Sequence, residues 1–193
     1  MRRSLMLLAA AVALPFATPA LADLTQGAKA PDFTAKGALA GKPFTIHLKD
    51  ALKKGPVVLY FFPAAFTGGC NAQAHAFAEA MPDFEKAGAT VIGMTAGNVD
   101  RIVEFSNDTK LCSGKFPVAA ASPEVIKSYD VELKGMKIPA SAVGTSNPIT
   151  ERTSYVIAPD GKILLTYNNM APIDHIKLTL EAVQKYQATH KKG

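Results

Sequence analysis

Pro56-Val57-Val58-Leu59-Tyr60-Phe61-Phe62 is an unbroken apolar run bounded by Gly55 and Pro63. β-Branched and aromatic residues dominate it with no polar alternation, which is the pattern of a strand buried on both faces. The next segment is equally well defined. After a short loop, Cys70 to Lys86 is Ala-rich and closed by Gly88, a helical signature, with Pro82 predicting a kink or break near Met81.

The alternation continues along the chain. Ala89 to Thr95 reads as a second buried strand and Asn98 to Leu111 as a second helix with Asn98 at its N-cap. Phe116 to Ala119 is a short third strand, and Ser122-Pro123 opens a short helix through Tyr129. Thr153 to Ala158 and Lys162 to Tyr167 flank Pro159-Asp160-Gly161, a hairpin signal. A final helix spans Ile173 to Tyr186, with Ile173, Ile176, Leu180 and Val183 on one face. Upstream, Asp23 to about Lys54 is Gly- and Pro-punctuated, with alternating pieces such as Phe44 to Leu48 that suit an N-terminal hairpin or edge strands. The expected fold is an α/β sandwich: a mixed, partly parallel central sheet with an antiparallel end, flanked by helices. There is no internal repeat or second domain. Lys134 to Thr150 is the longest irregular stretch.

Residues 1–22 read as a secretory signal peptide. Arg2 and Arg3 form the positive region, Leu5 to Ala17 the apolar one, and Ala20-Leu21-Ala22 the cleavage site before Asp23. Pro15 and Pro19 cut the apolar run short of the roughly 20 residues of a membrane span, so no stable membrane insertion is expected after cleavage. Ser4-Leu5-Met6 adds nothing to suggest a twin-arginine signal. The mature unit is then 23–193, in a periplasmic or otherwise secreted setting. The chain's net charge of +5 falls to +3 on cleavage, and Lys185, Lys191 and Lys192 crowd the C-terminus. That distribution suits export and a solvated tail, not a nucleic-acid patch. With 48% hydrophobic and 19% charged residues the chain is not intrinsically disordered. Two cysteines exclude a disulfide-dense scaffold and a four-thiolate metal centre, while the scattered His47, His175 and His190 suggest no metal site.

Cys70 stands at a strand-to-helix junction. A thiol in a first helical turn meets unpaired N–H groups and the positive end of the helix dipole, which favour thiolate. A lone cysteine is more ordinarily a small buried hydrophobe; Thr67, Gly68, Gly69 and the strand-end position weigh towards the reactive reading.

Pro63, Thr67 and Cys70 form a Pro-x-x-x-Thr-x-x-Cys motif that resembles that of peroxiredoxins. Ala30-Pro31-Asp32-Phe33, Phe61-Phe62-Pro63, Phe116-Pro117-Val118 and Arg152-Thr153-Ser154-Tyr155-Val156-Ile157 with Asp160-Gly161 extend the resemblance over the mature chain. It implies a thioredoxin-like sandwich and a thiol peroxidase acting on hydrogen peroxide or organic hydroperoxides. By resemblance, Cys70 is the peroxidatic nucleophile, Thr67 hydrogen-bonds the peroxide, Arg152 favours the thiolate and holds the peroxide oxygens, and Pro63 shields the site. No bound cofactor is required, because sulfur carries the redox change. The reductant implied is a thioredoxin-like or other dithiol protein, and relatives span monomers and dimers.

Two positions depart from the pattern. His75 stands where the peroxiredoxin Q (bacterioferritin comigratory protein) subfamily often has its resolving cysteine, and Gly68 where many relatives have proline. Gln73 matches a Glu/Gln position, though a solvated glutamine is nearly as good a reading. Some peroxiredoxin Q relatives place the resolving cysteine in or near the second helix, so Cys112 looks like the partner of a Cys70 sulfenate. A structural Cys70–Cys112 disulfide in a non-enzymatic domain, a free buried thiol and an intermolecular bridge are the alternatives. A thiol:disulfide oxidoreductase is the competing enzyme class, disfavoured by the lack of a C-x-x-C motif.

Overall fold

The computed structural model describes residues 24–145 and 148–190, so the signal-peptide reading and Lys191 and Lys192 lie outside the described residues. Seven strands form one mixed sheet: β1 (Thr34–Leu39), β2 (Lys42–His47), β3 (Val57–Phe61), β4 (Thr90–Thr95), β5 (Val118–Ala120), β6 (Thr153–Ile157) and β7 (Ile163–Asn168). Their order across the sheet is β2-β1-β5-β4-β3-β6-β7. β4 runs parallel to β3 and β5; every other pairing is antiparallel. Both ends of the sheet are therefore antiparallel, because the N-terminal hairpin joins it through β5.

Among the described residues six α-helices cover the faces: α1 (Leu48–Leu52), α2 (Gly68–Lys86), α3 (Ile102–Asn107), α4 (Pro123–Ser128), α5 (Ala140–Val143) and α6 (Asp174–His190). The apolar run of β3 is explained by its place in the sheet interior. Val58 and Tyr60 enter a core with Phe77, Phe84, Phe105, Phe116 and Val183, whereas Val57, Leu59 and Phe61 enter the opposite one with Phe33, Tyr129 and Tyr155. Tyr60 stacks on Phe77 with ring centroids 4.4 Å apart. Gly93 of β4 lies beneath its ring tip, and a Cβ there would come within 2.8 Å of the phenol.

Three expectations are corrected. Pro82 does not break α2, which runs unbroken to Lys86. Proline removes the N–H that the Ala78 carbonyl would accept, and Lys115 Nζ donates to that carbonyl instead at 2.9 Å. The second helix is shorter than expected: a 3-10 turn (Val99–Arg101) leads into α3, which stops at Asn107. Asn98 is left-handed, with φ 54°, and makes no side-chain cap. Finally, Ile173 precedes α6 at 58% exposure and leaves the expected face; Val183 is buried with Ile176 and Leu180 packed half-buried against the same core, and the helix also buries His175 and Thr179. The Ser122–Pro123 helix start is as expected, Val125 N–H donating to Ser122 Oγ at 3.3 Å. So is the β6–β7 hairpin, with Gly161 at φ 82° in its turn.

Candidate active site

The end of β3 is held by its neighbour β4 before it turns. Thr95 Oγ1 donates to the Pro63 carbonyl at 3.1 Å, Ala65 N–H to the Gly97 carbonyl at 3.3 Å, and Asn98 Nδ2 to the Ala65 carbonyl at 2.7 Å. The chain then reverses through Phe66, a non-glycine residue at φ 62°. Such a conformation costs about 1–2 kcal/mol. The Phe66 ring is fixed by the edge-to-face Phe105 ring at 5.2 Å and by the Arg101 guanidinium 3.7 Å above it.

Thr67 comes next, in an extended conformation at the N-cap position of α2. Its hydroxyl donates back to the Ala64 carbonyl at 3.0 Å and does not cap the helix. The helix begins at Gly68, two residues before the expected start, which makes Cys70 the third residue of the first turn. Cys70 is 2% exposed, its backbone N–H among those that have no carbonyl in the helix itself.

Arg152, just before β6, meets this turn from across the sheet. It is 3% exposed and makes three contacts: Nη2 to Cys70 Sγ at 3.6 Å, Nη1 to Gln73 Oε1 at 2.5 Å, and Nε to the Met170 carbonyl at 3.0 Å. Among the described residues no carboxylate pairs with it. Gly69 makes the approach possible, since a Cβ there would lie 3.1 Å from Nη2. A cation with a fork of donors beside a thiol in a first helical turn can bind the oxygens of a small substrate.

The predicted residues Pro63, Thr67, Cys70 and Arg152 thus gather at the β3–α2 junction. Gln73 is buried against Arg152 with its amide nitrogen unpartnered, not a solvated glutamine, while His75 is exposed on α2. Cys112 lies apart, fully buried in the turn after α3 but in the same half of the core as Cys70; both are free thiols. Burial, helped by the Asp108 carboxylate, pushes the Cys112 thiol well above its usual range. The Tyr60 hydroxyl, buried without a partner, feels both sulfurs and Arg152; its pKa is raised chiefly by burial, then by Cys112 and Cys70. Three features had escaped the sequence: the left-handed Phe66, the Met170 carbonyl and the buried His175. Ser154, whose hydroxyl lies 2.8 Å from His175 Nδ1, was also missed, although standing two residues from Arg152 it carried a positional signal. No group of three or more His, Cys, Asp or Glu among the described residues could hold a metal, and no helix among them is long and apolar enough to cross a membrane.

A thioredoxin-like sandwich carrying a buried helix-N-terminal cysteine beneath an arginine defines the class of thiol-based peroxidases. Residues 26–166 match the AhpC/TSA family, and the chain belongs to it. Among curated proteins it is similar to chloroplastic peroxiredoxin Q of Sedum lineare, 34% identical over 164 residues that cover 84% of this chain and 80% of that protein. The same protein of Arabidopsis thaliana is 36% identical over 161 residues, covering 83% and 67%. Peroxidoxin BcpB of Mycobacterium tuberculosis has the same fold, with a TM-score of 0.69 at 24% identity, covering 84% of this chain and 97% of that one. Plasmodium yoelii thioredoxin peroxidase I superposes with a TM-score of 0.70 at 20% identity, covering 88% and 94%. The chain is a peroxidase of the oxidoreductase class.

Proposed function

We propose that this peroxidase is exported and reduces hydrogen peroxide or organic hydroperoxides at Cys70, with Cys112 resolving the product as an intramolecular disulfide. The observation that carries the reading is the 3.6 Å approach of Arg152 Nη2 to Cys70 Sγ in the first turn of α2. The Cys70 thiolate attacks one peroxide oxygen; an S–O bond forms, the O–O bond breaks, and sulfur becomes a sulfenic acid. The departing oxygen takes the bonding pair, picks up a proton and leaves as water or alcohol. Arg152 stabilises the charge that develops on it. Thr67, its proton committed to the Ala64 carbonyl, offers its oxygen lone pairs to the peroxide O–H. Pro63 keeps water from the loop.

In the second step Cys112 sulfur attacks the Cys70 sulfenic acid: the S–S bond forms, the S–O bond breaks and water leaves. A thioredoxin-like dithiol protein then reduces the disulfide and is itself oxidised. Cys112 is buried and held as a thiol, so the turn over residues 108–115 opens before this step. Peroxide consumption with a thioredoxin-like reductant, compared for the parent, Cys70→Ser and Cys112→Ser, tests the reading. Cys70→Ser is expected to abolish activity, and Cys112→Ser to spare one stoichiometric turnover while losing recycling. One equivalent of peroxide should remove both free thiols of the parent without dimer formation. A persistent sulfenic acid with Cys112 still alkylatable would refute the resolving role, and an active Cys70→Ser protein the whole reading. Residues 1–22 serve export in this account, and the intact mass of protein recovered from the periplasm should correspond to an N-terminus at Asp23.

A further inference from the structure

The Nε contact of Arg152 leads away from the sulfur, into the loop between β7 and α6. That loop is bonded to Arg152 twice: Arg152 Nε–H donates to the Met170 carbonyl at 3.0 Å, and Asn169 N–H donates to the Arg152 carbonyl at 3.2 Å. One residue of α6 reaches into it. His175, fully buried, has Nε2 at 2.8 Å from the Asn169 carbonyl and Nδ1 at 2.8 Å from Ser154 Oγ, with the Tyr167 ring edge-on at 4.7 Å. A carbonyl only accepts, so Nε2 carries the proton; the neutral ring then leaves Nδ1 to accept from the Ser154 hydroxyl. The imidazole is thereby clamped between β6, which Arg152 directly precedes, and the loop that orients it.

We infer that His175 is a positioning residue for Arg152, fixing through the Asn169 carbonyl the loop whose Met170 carbonyl holds the guanidinium over Cys70. Nothing in the peroxide chemistry requires a histidine there, and His175 does not touch the sulfur. It acts on orientation: without the Nε2 donor the Met170 carbonyl is free to shift, Arg152 loses one of its three anchors, and its charge lies on average farther from Sγ. A displacement of about 1 Å at such a group costs up to about 100-fold in rate. The inference rests on Cys70 being the reactive thiol.

Two substitutions separate positioning from bulk. In His175→Gln the side-chain amide reaches the Nε2 position and keeps a donor for Asn169; in His175→Asn it reaches only the Nδ1 position, facing Ser154. Peptide-resolved iodoacetamide labelling of Cys70 across pH reads the effect without requiring peroxide, so it stays meaningful if the peroxidase reading fails. For His175→Asn, the labelling profile should move to higher pH and the rate constant with peroxide should fall about tenfold. His175→Gln should stay within about threefold of the parent by the same scale. A parental profile for His175→Asn, or equal losses in the two variants, would overturn the inference. Should His175→Asn fail to fold, the nitrogen chemical shifts of His175 in the parent decide: a proton on Nε2 is required, and a proton on Nδ1 rejects it.

Discussion

At Gly69 a methyl group would sit 3.1 Å from Arg152 Nη2, so Gly69→Ala pushes on the guanidinium while leaving the helix that carries it intact. We expect normal folding by circular dichroism and a clear loss of peroxide reduction. Arg152→Lys tests the same group from its own side. Lysine keeps the charge but cannot span Cys70 Sγ, Gln73 Oε1 and the Met170 carbonyl together, and the rate constant with peroxide should drop about 100-fold. His175 supplies the pH dependence at this scale. Burial lowers its pKa to about 4, reinforced by the Arg152 charge and opposed by the Asn169 hydrogen bond and the Asp174 carboxylate, with the Tyr167 ring packed edge-on against it. Between about pH 6.5 and 4 the unfolded chain binds a proton that the folded chain refuses, so stability is full above that window and falls as pH drops through it. The loss is up to about 3 kcal/mol, read as a lowered denaturation midpoint that His175→Gln should blunt.

Helix α2 shows how an element survives a residue that ought to interrupt it. The Ala78 carbonyl orphaned by Pro82 is taken by Lys115, so Lys115→Met should cost about 1 kcal/mol. In a Pro82→Ala background, where the backbone can bond Ala78 itself, that cost should largely vanish; a double-mutant cycle by chemical denaturation measures the difference. A break was expected because a sequence displays the proline but not the distant lysine. Elsewhere, legibility followed burial and local chemistry. β3 was readable because both faces are buried and every residue is therefore apolar, and α4 because its cap is made by adjacent residues. The buried face of α6 was legible in part: Ile176, Leu180 and Val183 reach the core as expected, whereas His175 and Thr179 satisfy their polar atoms with the Asn169 and His175 carbonyls and so enter the core as polar letters. Asn98 misled for a similar reason: its side chain serves the Ala65 carbonyl across the loop instead of its own helix. At the site, Cys70 and Arg152 were legible through the family pattern, whereas the left-handed Phe66 and the loop behind Arg152 depend on tertiary contacts that leave no local trace.

Across the whole molecule, the edges of the sheet are managed differently. β2, at one end of the sheet, carries exposed Lys42 and Pro43, residue types that discourage pairing with another chain. β7 is covered by the segment before β1: Gly27 N–H donates to the Ile163 carbonyl, Ile163 N–H to the Ala28 carbonyl and Ala30 N–H to the Gly161 carbonyl. A protein beginning at Lys29 would lose the first two bonds and the Thr166 Oγ1 bond to the Leu24 carbonyl, about 3 kcal/mol in all, and bare part of an edge. A lower denaturation midpoint and more light scattering on warming are expected, and unchanged values would show the cover to be dispensable. The same cover constrains the order of events during synthesis. Thr166 Oγ1 donates to the carbonyl of Leu24, 142 positions earlier in the chain, and contacts of such long range form late. A polypeptide emerging from its N-terminus holds no partner for this segment until β7 has been made, so that edge of the sheet can close only after more than a hundred intervening residues have left the ribosome.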